Sequence, residues 1–250
     1  MPRKKKFELT EDNYYSSEAN KEFWSVSQYK SFLRCEASAM AELRGEYTPP
    51  VTKAMLVGSF VDNWMDGTLQ QFVDEHPEVF TRKQELRAEF RQANEIINLI
   101  KNHYDFNKFL QGEHQKILLF EMFGAKWKIK IDSFVEGVCI TDLKVIAKTQ
   151  TLPLWRYDLQ GAVYQKGVEA NGYGTLPFYL AVVTKEKVSD MNIFQIPQAQ
   201  LDVALNEIEE NMPHLIEVKS GLIEPKRCEK CPYCRQTRKI TVRNYSELIV

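Results

Sequence analysis

Near residue 115 the hydrophobic pattern of this chain changes period, and that change limits the possible folds more than any other feature. Gln115–Phe123, Lys126–Val135 and Val138–Ile146 read as three strands separated by Gly124-Ala125 and Glu136-Gly137, turns short enough for hairpins. Strands joined so tightly form a meander. On the second strand Trp127, Ile129 and Ile131 alternate with Lys128, Lys130 and Asp132, so the two sets face opposite sides of a sheet. A helix over 154–171 follows, and the apolar run Phe178–Thr184 then reads as a buried fourth strand. A strand–helix–strand crossover implies a right-handed connection in a mixed sheet.

The flanking segments are helical in spacing. A helix over 25–43 opens with Ser25-Val-Ser-Gln28 as a capping box and with Trp24 and Tyr29 as its hydrophobic staple. Its stripe is Val26, Tyr29, Leu33, Met40 and Leu43. A second, over 52–69, carries Leu56, Phe60 and Trp64 on one face and Asp62 on another with Gly58 and Asp66. A third spaces Leu86, Phe90, Ala93, Ile97 and Ile100, and a last one over 199–217 spaces Leu201, Leu205, Ile208, Met212 and Leu215. The expected class is α/β: a mixed central sheet flanked by helices, in one domain over 24–250 that includes a Cys-rich basic segment at 218–250. Residues 1–23 read as a polar, irregular extension.

With 44% hydrophobic and 27% charged residues the chain is in the ordinary globular range, which excludes a disordered or collagen-like polymer. The apolar run Phe178–Val183 is far short of the roughly 20 residues that span a bilayer. The basic start, Met-Pro-Arg-Lys-Lys-Lys, leads into no apolar stretch, so a secretory signal is not read and the cytosol is the expected compartment.

Asp142 and Lys144 share one face of the third strand, and the Glu136-Gly137 turn returns that strand beside the second, which brings Asp132 near Asp142. Close carboxylates repel, and a divalent cation such as Mg2+ or Mn2+ removes that penalty by accepting oxygens from both. Such an ion polarises a phosphodiester and favours deprotonation of a bound water, while Lys144 would orient the water or neutralise developing charge. An isolated Asp-x-Lys would instead read as a salt-bridged sheet surface.

Taken together, Ile131-Asp132, Thr141-Asp142-Leu143-Lys144 and Gln160-Gly-Ala-Val-Tyr164 on the next helix resemble the PD-(D/E)xK nuclease superfamily with its restriction-endonuclease-like core. The resemblance is to its RecB and RecE branch, and it runs from about Ser25 to Cys234. It implies that Asp132 and Asp142 are metal ligands with the Leu143 carbonyl a third, that Lys144 is the catalytic lysine, and that Gln160 and Tyr164 face the active site or the DNA strand. Many relatives place a metal-binding His on an early helix, where Val57-Gly-Ser-Phe-Val-Asp62 here offers Asp62. Aspartate is a hard oxygen ligand suited to Mg2+. Glu121 is a further carboxylate or one half of a cross-strand ion pair.

Of five cysteines, three form Cys228-Glu-Lys-Cys231-Pro-Tyr-Cys234, a concentration of thiols that reads as bound metal. A fourth ligand is needed. Cys139, on a core strand, reads as a small buried hydrophobe, and Cys35 is the better candidate. The stretch Ser25–Cys35 resembles iron-sulfur nucleases of the AddB and CRISPR-associated type, in which one early cysteine joins three late ones around a [4Fe-4S] cluster. The tighter spacing here leaves a four-cysteine Zn2+ site as the competitor. Either would join the N- and C-terminal segments.

Between Ile216 and Val250 there are eight Lys or Arg against four Glu. On that excess alone a solvated surface tail is the usual reading; in a metal-pinned segment beside an acidic site, Lys226, Arg227, Lys230, Arg235, Arg238, Lys239 and Arg243 read as phosphate contacts without base readout. The expectation is a Mg2+-dependent exonuclease acting on the ends of linear double-stranded DNA, similar to the exodeoxyribonuclease VIII-like enzymes of phage and prophage recombination. The same resemblance implies a single-strand-annealing recombinase as partner and a homo-oligomer around DNA. The alternatives are a catalytically inactive DNA-end-binding or complex-assembly module on the same fold, and a zinc-stabilised protein-interaction domain.

Overall fold

The computed structural model describes residues 7–240, Val242 and Asn244. Helices come first: α1 Ser17–Glu22, α2 Val26–Arg34, α3 Glu36–Arg44, α4 Lys53–Met65, α5 Leu69–Glu75, α6 Ala88–Asn102 and α7 Tyr104–Asn107. The strands are β1 Glu113–Met122, β2 Ala125–Val135, β3 Cys139–Ile146, β4 Phe178–Thr184 and β5 Met191–Gln195, and they lie side by side in that order. Pairing is antiparallel except between β3 and β4, which are parallel. Their connection is a 3-10 stretch, Thr149–Trp155, and α8, Tyr157–Ala170. The chain continues through α9, Gln198–Ser220, and α10, Pro232–Gln236.

Strand alternation sorts the side chains into two cores. Trp127, Ile129, Ile131, Ile140, Leu180 and Val182 pack under α2, α8 and α9, while Leu143, Ala181 and Val183 pack under α4 and α6. Each large apolar side chain fully removed from water contributes about 1.5–3 kcal/mol. Helix α8 lies very close to the sheet because two of its positions lack side chains. A Cβ on Gly161 would come within 2.7 Å of Leu201 and Phe178, and one on Gly167 within 2.5 Å of Ile129. That close approach carries the residue before Gly161 to the third strand.

The helix expected over 25–43 is two helices. Ser25 caps α2 by accepting from the Gln28 N–H at 3.3 Å, but Cys35 is extended (φ −169°, ψ 105°) and separates α2 from α3. Within α2, Phe32 follows Val26 and Tyr29 into the core and Leu33 is 39% exposed, against the expected stripe. The helix expected over 52–69 stops at Met65, and α5 follows Gly67, whose φ of +74° suits glycine. The first residues of the 154–171 helix are 3-10, with Arg156 left-handed at φ 51° before α8. The edge strand β5 was not foreseen. Nor was the order in the first 23 residues, which contain α1 and a buried Tyr14 and Phe23.

Two lysines fasten that leading segment. Lys128 Nζ donates to the Tyr14 carbonyl and, at 2.8 Å, to Asn20 Oδ1, while Lys219 Nζ donates to the Phe23 carbonyl at 2.9 Å and to Gln28 Oε1 at 2.8 Å. Burial with neutral acceptors lowers Lys128 to about 8 and, with Lys128 adding repulsion and Glu22 opposing it, Lys219 to about 7. A lysine depressed in the folded state binds fewer protons there than in the unfolded chain, so its penalty is full below about 7 and is relieved as pH rises toward its unfolded value. Tm should therefore rise between pH 7 and 8.5, and Lys219→Met should flatten that rise. A Tm profile of the same slope in both proteins would contradict this.

Candidate active site

The β2–β3 ladder ends at Ser133↔Thr141, one step before the residues that would come next, Asp132 and Asp142. The strands part there, and the freed Leu143 N–H donates to Asp132 Oδ2 at 3.0 Å. A strand residue's N–H and C=O point to the same side, so the Leu143 carbonyl also faces the gap. Asp142, 1% exposed, accepts at Oδ1 from Gln160 Nε2 at 2.7 Å. Its Oδ2 is paired with the Lys144 ammonium, Nζ lying 2.5 Å away. Asp142, Asp132 and Asp62 around a single ammonium leave an excess of carboxylates, which a divalent cation would relieve.

The electrostatics are those of crowded acids around one ammonium. Asp132 is held well above the ordinary carboxylate range, by burial first and by Asp142 and Asp62, with Lys144 opposing. Asp62 is accessible at the mouth of the site but flanked by protein elsewhere, and its carboxyl is raised to about 6 by desolvation, with Lys144 lowering it and Asp142 and Asp66 adding to the rise. Burial alone would depress Lys144, but Asp142, Asp132 and Asp62 together raise it, so it stands as an ammonium.

Sequence-derived candidates divide here. Asp132, Asp142, Lys144, Gln160 and Asp62 converge. Tyr164 is within electrostatic reach of both inner aspartates, but its hydroxyl donates to the Lys130 carbonyl at 2.8 Å, tying α8 to β2 behind the site. Glu121 lies at the far end of the hairpin, opposite Lys126, and is no part of the cluster.

Two nearby residues escaped the sequence reading. Lys30 on α2 donates to the Trp155 carbonyl at 2.7 Å, and burial lowers it to about 8 while Asp142 opposes the shift. The Tyr15 ring is 5.6 Å from Lys130 Nζ, and its hydroxyl is raised to about 12 by desolvation, then by Asp132, Asp62 and Asp66. Lys30 follows Tyr29 in a helix read only for its apolar stripe, and Tyr15 stands in a segment read as irregular; neither carried a signal.

A second cluster joins the ends of the described fold. The sulfurs of Cys35, Cys228, Cys231 and Cys234 all lie within 4.8 Å of one another, with Cys35 and Cys234 3.5 Å apart. The break between α2 and α3 aims Cys35 at this point, and the Lys226 carbonyl accepts from Ala37 N–H at 3.0 Å. Backbone N–H groups of Lys230 and Cys231 pull the Cys228 thiol down to about 6, whereas burial pushes Cys35 up to about 12. Cys139 is buried apart from them, beside Thr141.

The basic residues around the cluster are exposed but not equivalent. Glu229 pairs with Arg227 at 2.9 Å and with Arg238 at 3.3 Å, and Arg227 also donates to the Cys234 carbonyl at 2.9 Å, so these two arginines brace the cysteine loop. Lys226, Lys230, Arg235 and Lys239 are exposed. Arg243 lies outside the described residues.

Residues 25–237 match the family described as "PDDEXK-like domain of unknown function (DUF3799)". The crystal structure of a candidate exonuclease from Eubacterium rectale is 42% identical, covers 98% of each chain and superposes with a TM-score of 0.94. The crystal structure of SSO0001 gives a TM-score of 0.30 at 12% identity, over 71% of this chain and 84% of that one. No curated protein matches. No helix among the described residues is long and apolar enough to cross a membrane.

Proposed function

The chain belongs to the PDDEXK-like domain family, and on that premise we propose that it is a divalent-metal-dependent deoxyribonuclease, an exonuclease degrading linear double-stranded DNA from its ends. The observation that carries this is the gathering of Asp142, Asp132 and Asp62 around the one ammonium of Lys144, with the Leu143 carbonyl beside them. The name of the Eubacterium rectale protein supports the exonuclease class. Action on duplex ends, a role in phage or prophage recombination, an annealing recombinase as partner and a homo-oligomer follow from the resemblance to RecE-type enzymes.

Asp132, Asp142 and the Leu143 carbonyl would hold the cation, with Asp62 as the accessible ligand at the mouth. Bound there, Mg2+ supplies Lewis acidity toward a phosphodiester oxygen and lowers the pKa of a coordinated water. The chain's own residues do the rest. Gln160 fixes the Asp142 rotamer through Oδ1 and leaves Oδ2 turned to the site; the Leu143 N–H does the same for Asp132. Lys144, protonated, orients the attacking water and offsets charge on the phosphate oxygens, acting as a donor and not as a base. Tyr164 keeps β2 in place from behind. Lys226, Lys230, Arg235 and Lys239 would contact the DNA backbone.

For the four thiolates a single tetrahedral ion is the better reading. Zn–S bonds of about 2.3 Å place sulfurs about 3.8 Å apart, which suits a group confined within 4.8 Å. A [4Fe-4S] cluster binds each thiolate at a different corner of a cube and holds them farther apart.

The test is degradation of end-labelled linear duplex against closed circular DNA, with Mg2+ or EDTA, by wild type and Lys144→Ala. Loss of linear substrate alone, abolished by EDTA and reduced about 10²–10³-fold in the variant, is expected. Folded, metallated protein that binds DNA without cutting it would instead favour the inactive end-binding module.

A further inference from the structure

A groove of about 880 Å3 lies beside the carboxylate site, between the 3-10 stretch, the start of α8, β5 and the first turn of α9. Leu152, Pro153, Phe194, Ile196 and Pro197 make its walls apolar, and the side-chain amides of Gln150, Gln195 and Gln200 stand among them. Two features make it continuous with the site. Leu180, which lines the groove, is the β4 partner of Asp142. Tyr157 lines it as well, and its ring centroid is 5.7 Å from Lys144 Nζ and 5.3 Å from Lys30 Nζ. Tyr157, flanked in the lining by the Arg156–Asp158 ion pair, therefore stands between two ammonium groups and the apolar walls.

We propose that this groove is a nucleobase subsite: a nucleotide whose phosphate meets Lys144 and Lys30 passes its base beyond Tyr157 into the slot. The inference rests on the nuclease reading above. Phosphate, sugar and base are consecutive groups, and the charge and apolar surface follow the same order across Tyr157. A base entering the groove leaves its stack, and the rings of Tyr157 and Phe194 replace the stacking it loses. Glutamine amides offer donors and acceptors together, so any of the four bases is accommodated, as end-directed degradation requires.

The experiment uses an oligonucleotide duplex carrying 5-iodo-deoxyuridine at its terminal nucleotides, irradiated with the full chain in EDTA so that nothing is cut. Cross-links mapped by mass spectrometry are expected at Tyr157 or Phe194. Ala199, exposed on the first turn of α9 and lining the groove, can be enlarged without disturbing the core. Ala199→Trp should keep the wild-type Tm, lose the cross-link and raise KM about tenfold with kcat within about twofold. A substrate lacking the terminal base should be cut equally by both proteins. Cross-links confined to other surfaces, or an unchanged KM in Ala199→Trp, would overturn the subsite and leave the groove and the β5 edge to a peptide. No DNA binding or cleavage by the wild type would remove the nuclease reading, and the subsite with it.

Discussion

Asp142→Asn is expected to lower phosphodiester cleavage by about a thousandfold or more while changing the metal-free Tm little. The two effects separate because the substitution removes charge and not shape. Asparagine retains an oxygen to accept from Gln160, which donates at 2.7 Å in the native protein, so the packing of α8 on β3 is kept. What disappears is a negative charge that presses against Asp132 and Asp62 but also pairs with Lys144, so relieved repulsion and a lost ion pair offset each other in the metal-free site. With a cation present the balance tips against the variant, because a charged ligand has gone. Several kcal/mol of transition-state stabilisation corresponds to about three orders of magnitude in rate. Calorimetry with and without Mg2+ checks both halves: the wild type should gain Tm on adding metal and the variant should not. A variant that cleaves at the wild-type rate would remove Asp142 from the chemistry.

Cys234→Ser is the second substitution of large effect, and it acts on the fold. Cys234 is fully buried, and its sulfur is 3.5 Å from that of Cys35 and 4.0 Å from that of Cys228. Losing one of four thiolates should release the ion. The bound metal is then no longer available to stabilise the contact between α3 and the segment from Lys226 to Gln236. Structural zinc contributes on the order of 10 kcal/mol to small peptides that have little else to hold them. In a domain with its own core the share is smaller, and a loss of several kcal/mol lowers Tm by about 10 °C or more. Metal analysis of the purified wild type should give one zinc per chain and no acid-labile sulfide. Brown protein with iron and sulfide in equal amounts would restore the cluster reading, and a Cys234→Ser protein with wild-type Tm would deny the site a structural role.

The sheet was legible because glycine and short turns punctuate it: Gly124 and Gly137 have φ of +74° and +71°, and the strand between them alternates apolar and polar residues from Trp127 to Asp132. Asp132 and Asp142 could be paired from turn length alone. The break at Cys35 could not be read, because Val26, Tyr29 and Met40 keep a helical period across it and the interruption comes from tertiary contacts. β5 was hidden by its length, five residues with partial burial at a sheet edge. Lys128 was assigned to a polar face by alternation, yet it is 1% exposed, because the leading segment covers that face of β2. Long-range cover of this kind leaves no local pattern.

The cysteine cluster joins position 35 to positions 228–234, contacts separated by nearly the whole described chain. Pairings so remote in sequence carry a high loop-closure cost and form late. During synthesis the residues from Asp132 to Tyr164 leave the ribosome well before Cys228, so the sheet and α8 can pack before the last ligands exist. Capture of the proposed ion would then be the closing event of folding, at a rate that follows metal supply as well as the chain.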